Sequence, residues 1–246
     1  MSDSSKDEQT STCQDGTLDF WAQKWQQNKI GFHRTVVSHL FEKYMIPKLT
    51  ATKEQLCVLF TLCGKTLDMV AVLEAGHRVI GIEGCQSGVE AFFQENNIKY
   101  EIEKDETNKC QTYKGIECPL TIYVTDFFTF NKSIPPIDYI WDRGGLVAIN
   151  PSTREQYRDC LIRMMAPERT QLFVVAINYT DLTYTGPPFV VNDDNIQTLF
   201  VISIGSTCSC ELVEAHDETE EYNSRAVGHR IDFIEERLHL IVQKQT

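Results

Sequence analysis

From residue 55 to residue 177 the chain alternates between apolar runs of strand length and stretches whose apolar positions recur at helical spacing. Residues 55–62 (QLCVLFTL) read as a buried strand, 66–75 as a helix stopping at Gly76, and 78–82 (RVIGI) as a second strand ended by Glu83. Ser87 and Glu90 have capping-box spacing ahead of Val89, Phe92 and Phe93, which share one helical face. Residues 99–118 are polar and irregular, and a loop is expected there. Strands follow at 120–124, 138–141 and 172–177. Between the last two lies a helix with Tyr157, Leu161, Met164 and Met165 on its apolar face and a second capping box, Ser152 and Glu155. Short links without repeats predict an open, mostly parallel sheet with helices on both faces.

The flanks differ. Before the first strand come Phe20, Trp21, Trp25 and Phe32, then a helix over 35–46 (Val36, Val37, Leu40, Phe41, Tyr44, Met45) closed by Pro47. After residue 190 a short helix is expected at 195–200 and a half-buried edge strand at 207–215. A final strand is expected over 231–242, broken at Glu235-Glu236. The fold class is therefore α/β, Rossmann-like, with antiparallel edge strands at the C-terminus and an N-terminal helical segment. Residues 1–17 are polar and read as a disordered tail, and 18–246 as one domain, of which 18–50 form the aromatic segment and first helix.

The 246 residues are 42% apolar and 24% charged, enough for a sizeable core and one domain of ordinary size. A formal net charge of −12 argues against nucleic acid or an anionic membrane as partner. No run approaches the length of a membrane span, and the acidic, polar N-terminus lacks the apolar stretch of a secretory signal. The nine cysteines are scattered without zinc spacing, so reduced thiols in a cytoplasmic protein are expected.

In such a sheet the ligand lies beyond the carboxyl ends of the strands. The residues there are Leu62, Cys63 and Gly64; Glu83; Thr125 and Asp126; Asp142-Arg143-Gly144-Gly145; and Asn178 with Tyr179. Glu83 follows the first strand at the spacing of an acid that takes a ribose diol. Neither a Gly-x-Gly-x-x-Gly nor a Walker loop is present, which points to adenosine without phosphates. Each feature alone also reads as a turn glycine or a solvated acid. Cys63 reads as packing, Cys208-x-Cys210 as strand alternation, and His216 as part of a solvated loop. His33 reads equally as a proton acceptor or a helix cap and stays outside the catalytic set.

Several blocks together resemble the thiopurine S-methyltransferases. They are Trp21-x3-Trp25-x6-Phe32-His33, Leu62-Cys63-Gly64-Lys65, Gly81-Ile82-Glu83, Ile140-Trp141-Asp142-Arg143-Gly144 with Leu146-Val147-Ala148-Ile149-Asn150-Pro151, and Gly186-Pro187-Pro188-Phe189. The resemblance runs in order from about residue 20 to the C-terminus. It implies a class I S-adenosylmethionine-dependent methyltransferase fold and S-adenosylmethionine as cofactor, with no metal. By position it implies that the 18–50 segment is an N-terminal helical lid over the cofactor, with cofactor contacts from Trp21, Trp25, Phe32, Leu62, Gly64, Glu83, Thr125, Asp126 and Arg143. It implies substrate contacts from Phe32, Arg143, Pro187 and Arg225, with Arg143 and Arg225 as the catalytic pair. Thr61 replaces a proline, Gly84-Cys85 replace the usual residues after the acid, and 214–224 is longer and more acidic than the family pattern.

The implied reaction is methyl transfer to the sulfur of aromatic or heterocyclic thiols by a monomer, with no nucleic-acid or membrane partner. Relatives of similar sequence methylate halide, thiocyanate, selenium or tellurium species, and those acceptors are the alternative. A non-catalytic cofactor-binding relative is a second alternative. A nicotinamide-dependent oxidoreductase is disfavoured by the missing pyrophosphate loop.

Overall fold

A parallel sheet needs strands that are apolar on both faces, and the chain supplies five. The computed structural model describes residues 15–181, 183–205, 207–225 and 230–245. In chain order the elements are α1 (Leu18–Gln26), α2 (His39–Tyr44), α3 (Ile46–Thr50), β1 (Cys57–Thr61), α4 (Asp68–Glu74), β2 (Arg78–Glu83) and α5 (Gln86–Glu95). Next come β3 (Tyr100–Asp105), β4 (Cys110–Gly115), β5 (Leu120–Val124), β6 (Tyr139–Arg143), α6 (Arg154–Met164) and β7 (Gln171–Tyr179). The last are α7 (Asp193–Gln197), β8 (Cys208–Asp217), α8 (Thr219–Ser224) and β9 (Ile234–Gln243).

The nine strands form one sheet in the order β3-β4-β5-β2-β1-β6-β7-β9-β8. β5, β2, β1, β6 and β7 run parallel, and β9 and β8 close one edge antiparallel. Alternate residues of the central strands feed two cores. Leu59, Ile80 and Ile140 pack with Tyr157 and Leu161 of α6 on one face. Val58, Phe60 and Trp141 pack with Leu40, Phe41, Phe92 and Phe93 on the other. Asp68 fastens the second layer, accepting the Ser38 N–H at 2.8 Å and the Trp141 Nε1–H at 3.1 Å.

Several expectations are corrected. The loop expected at 99–118 is the hairpin β3–β4, which extends the sheet beyond β5. The helix expected over 35–46 is two short helices. Pro47 lies in the first turn of α3, where a missing N–H leaves no bond unmade, and Val36 is 61% exposed. Neither predicted capping box forms. Ser87 and Glu90 lie inside α5, and the turn before α6 is capped by Asn150, whose side chain accepts the Ser152 N–H. β9 runs unbroken through Glu235 and Glu236. Of the expected tail, residues 1–14 lie outside the described residues. Gly16 is packed against Ala148 and Asn150, and Thr17 caps α1.

Candidate active site

The chain leaves β1 towards β2 on one side and returns through β6 on the other, so a crevice opens beyond their carboxyl ends. The turn after β1 is tight, with Leu62 at φ 43° and Gly64 at φ 49°. Left-handed backbone suits Gly64, whereas Leu62 holds it at a cost of about 1–2 kcal/mol, borne by the surrounding structure. Gly64 donates its N–H to Glu83 Oε2 at 2.7 Å, and Cys85 donates to Glu83 Oε1 at 2.8 Å. Glu83 is buried, which raises its pKa, while these amides pull it back. Each oxygen keeps a lone pair for a further donor such as a ribose hydroxyl. Thr125 donates its N–H to the Glu83 carbonyl at 2.9 Å, which sets it and Asp126 on the same side of the crevice. Asp126 accepts the Phe128 N–H at 2.9 Å.

α1 lies across these turns. Trp21 and Trp25 meet Phe32 edge-on, at ring separations of 5.2 and 5.7 Å. Trp25 rests on two glycines: a Cβ on Gly64 would sit 3.3 Å from its Cζ2, and one on Gly88 only 2.9 Å. Leu18 covers Gly84 in the same way. Trp21 Nε1 is buried without a hydrogen-bond partner. An amide-cradled acid and a glycine floor, with an orphaned indole donor on the covering helix, fit a nucleoside ligand.

On the other side of the crevice stands a charged cluster that sequence reading found only in part. Arg143, at the end of β6, places Nη2 3.3 Å from Oε1 of Glu236, and Arg34 places Nη2 3.0 Å from the same oxygen. Arg34 also reaches Glu218 Oε2 at 2.6 Å, and Arg225 lies 3.9 Å from that oxygen. Burial would raise the Glu236 pKa, but Arg143 and Arg34 hold it below the usual carboxylate range. Burial, with Arg34 and Arg143 nearby, lowers that of Arg225. Three guanidinium groups thus face two buried carboxylates. The Nε atoms of Arg143 and Arg225 remain buried without partners, as does Glu236 Oε2.

Arg34, Glu218 and Glu236 were missed. The signal for the cluster is the Glu235-Glu236 pair in β9, of which Glu236 is buried and paired with Arg34 and Arg143 rather than breaking the strand. Arg143 pairs with Glu236, while Asp142 accepts the N–H groups of Gly145 and Leu146. His33 does not cap the next helix, whose N-cap is Ser38. Burial, then Lys65, lower its pKa to about 4, and Arg143 acts in the same direction. Cys63 is a buried thiol whose pKa burial drives well upward, which agrees with packing. His216 lies in β8 and not in a loop, its side chain 43% exposed. The loop carrying Pro187 is tied to the arginine side. The Tyr184 hydroxyl donates to the Pro187 carbonyl, Tyr179 donates to Pro188 O at 3.0 Å, and both tyrosines pack with Tyr222 of α8. Arg225 lies over the Tyr222 ring at 5.4 Å.

Among known proteins, the chain is 34% identical to a probable thiopurine S-methyltransferase of Danio rerio, over 92% of this chain and 95% of the relative. It is 36% identical to the thiopurine S-methyltransferase of Bos taurus, over 93% and 90%. Among solved structures, the magnesium protoporphyrin IX methyltransferase of Synechocystis superposes with a TM-score of 0.57 at 10% identity, covering 95% of this chain and 100% of that one. That likeness concerns the fold, which is that of the class I methyltransferases. The family model for thiopurine S-methyltransferase matches residues 16–244, and the chain belongs to that family.

Proposed function

We propose that this chain transfers the methyl group of S-adenosylmethionine to the sulfur of small aromatic or heterocyclic thiols, thiopurines among them. The arginine cluster carries this reading. Three guanidinium groups meet two buried carboxylates and the half-exposed Glu221, and the buried Nε atoms of Arg143 and Arg225 are left without partners beside the crevice, donors that suit a thiolate. The curated relatives are named for this reaction, and the structurally similar magnesium protoporphyrin methyltransferase holds S-adenosylmethionine.

When bound, S-adenosylmethionine supplies an electrophilic methyl on a positively charged sulfur. Glu83 would accept the ribose hydroxyls, Leu62 and Gly64 would line the first-strand side, and Thr125 with Asp126 would hold the adenine. Trp21, Trp25 and Phe32 would cover the ligand, and an indole face attracts a sulfonium. Arg143 and Arg225 would favour the thiolate and aim it, with Phe32 and Pro187 bounding the acceptor. Heteroaromatic thiols release their proton to solvent readily, so the protein need not provide a strong base. The thiolate electron pair forms the new S–C bond as the old one breaks in line. Alignment supplies up to roughly 7–11 kcal/mol of the barrier reduction. Opposite charges are neutralised in this step, so exclusion of water by α1 helps it. The displacement as written uses no metal ion. The eight cysteines among the described residues are free thiols, and none of the described helices is long and apolar enough to cross a membrane. The family resemblance, rather than these two features, suggests a cytosolic monomer.

The test is release of S-adenosylhomocysteine with mercaptopurine, thiophenol and iodide as separate acceptors. Turnover on the thiols supports the reading, and turnover on iodide alone moves the chain to the halide alternative. Silence on all three with S-adenosylhomocysteine still bound overturns it.

A further inference from the structure

We propose that His39, His216 and Glu218 form a binding site for one zinc-class divalent ion on the outer side of the arginine cluster. His39 opens α2, His216 is the penultimate residue of β8, and Glu218 directly precedes α8. One coordinating atom of each lies within 4.8 Å of the others. His39 Nδ1 is 3.4 Å and His216 Nε2 3.9 Å from Glu218 Oε1, and the two rings stand 3.8 Å apart. Zinc bonds of about 2.0–2.1 Å in a tetrahedron set ligand separations of roughly 3.3–3.4 Å. The two imidazole-to-carboxylate spacings need only a small contraction, while the rings, now 3.8 Å apart, must spread to roughly 5 Å, which rotation of the half-exposed His216 ring can provide.

A second observation points to a cation. The Glu218 side chain is 1% exposed, yet its Oε1 has no hydrogen-bond donor. A buried carboxylate oxygen without a donor is costly, and a metal ion between it and the two imidazoles removes that cost. The other oxygen, Oε2, is held by Arg34 at 2.6 Å, so the carboxylate is already oriented as supported metal ligands are. Two imidazoles and one carboxylate suit zinc, nickel or copper rather than magnesium or calcium. The fourth position falls to water. Side-chain exposures of 31% for His39 and 43% for His216 leave a way in from solvent. The ion would join α2 to the corner between β8 and α8, the short helix whose C-cap is Arg225. Neither histidine is among the groups assigned to the methyl donor or acceptor, while Glu218 is shared with the arginine cluster through its other oxygen.

The test uses the full chain, stripped with a chelator, titrated with zinc by calorimetry and with cobalt by absorption. We expect one equivalent of zinc and a cobalt spectrum of nitrogen and oxygen ligation without thiolate charge transfer. We also expect a zinc-dependent rise in Tm. His216→Ala and His39→Ala should each weaken zinc binding at least about tenfold. Their Tm in chelator should match the wild type, which shows that both variants fold. Absence of saturable zinc binding overturns the proposal. So does a thiolate-type cobalt spectrum, or an affinity unchanged in both variants.

Discussion

The Nη2 of Arg143 lies 3.3 Å from Oε1 of Glu236, a residue 93 positions further along the chain. Glu236 faces Ile177 of β7 across the antiparallel pair, so the C-terminal edge of the sheet supplies the counter-ion that fixes the arginine. The arginine is aimed before any ligand arrives, and its remaining capacity includes an Nε without a partner.

Arg143→Ala should therefore lower kcat/KM for thiols by about 10²-fold, the scale for loss of one fixed charge-stabilising donor. Affinity for S-adenosylhomocysteine should stay within about threefold. Steady-state kinetics and calorimetry check this, and equal losses in both would show that the arginine only supports the fold.

Glu83→Gln replaces one carboxylate oxygen by an amide NH2 that faces an N–H donor, either that of Gly64 or that of Cys85. Loss of a charged acceptor corresponds to about 1.5–3 kcal/mol, or roughly 10–100-fold weaker S-adenosylhomocysteine binding. Calorimetric titration of the variant gives the number directly.

Gly88→Ala separates helix stability from lid closure. Alanine inside α5 gains about 0.8–1 kcal/mol of helix propensity, but its Cβ would meet Trp25 Cζ2 at 2.9 Å. The Tm should hold or rise, while S-adenosylhomocysteine protects residues 15–35 from protease less than in the wild type. Undiminished protection would show that Trp25 does not hold the lid down on this floor.

Burial and Lys65 hold the His33 pKa at about 4, below its ordinary value of 6.5. Between those two values the unfolded chain binds more protons than the folded one, so the stability His33 permits at neutral pH is lost as pH falls through that window. The difference in urea-unfolding free energy between wild type and His33→Gln should be constant above pH 7. It should move against the wild type from pH 6.5 towards pH 4.

The central strands and the crevice-facing turns were legible because they follow simple rules. Apolar runs at 55–62 and 172–177 lie within a segment of alternating strand and helix periods, and Glu83 stands where a β2 acid must stand. The β3–β4 hairpin was not legible. β3 is an edge strand with Glu101, Ile102, Glu103 and Lys104 all exposed, and its order comes from cross-strand contacts such as Tyr100 on Tyr113 at 5.4 Å. The same limit hid the arginine cluster. Arg34 reaches Glu218 and Glu236 from 184 and 202 positions away, and no local pattern reports a charge pair made at that range. His39 and His216 meet for the same reason, through the packing of α2 against the end of β8.

The most direct test of the central claim is transfer from S-adenosylmethionine bearing a deuterated methyl group to mercaptopurine, followed by mass spectrometry of the product. The account predicts the labelled methyl on sulfur alone, with one S-adenosylhomocysteine formed per methyl transferred. Label on nitrogen, or no labelled product from a chain that still binds S-adenosylhomocysteine, would contradict it.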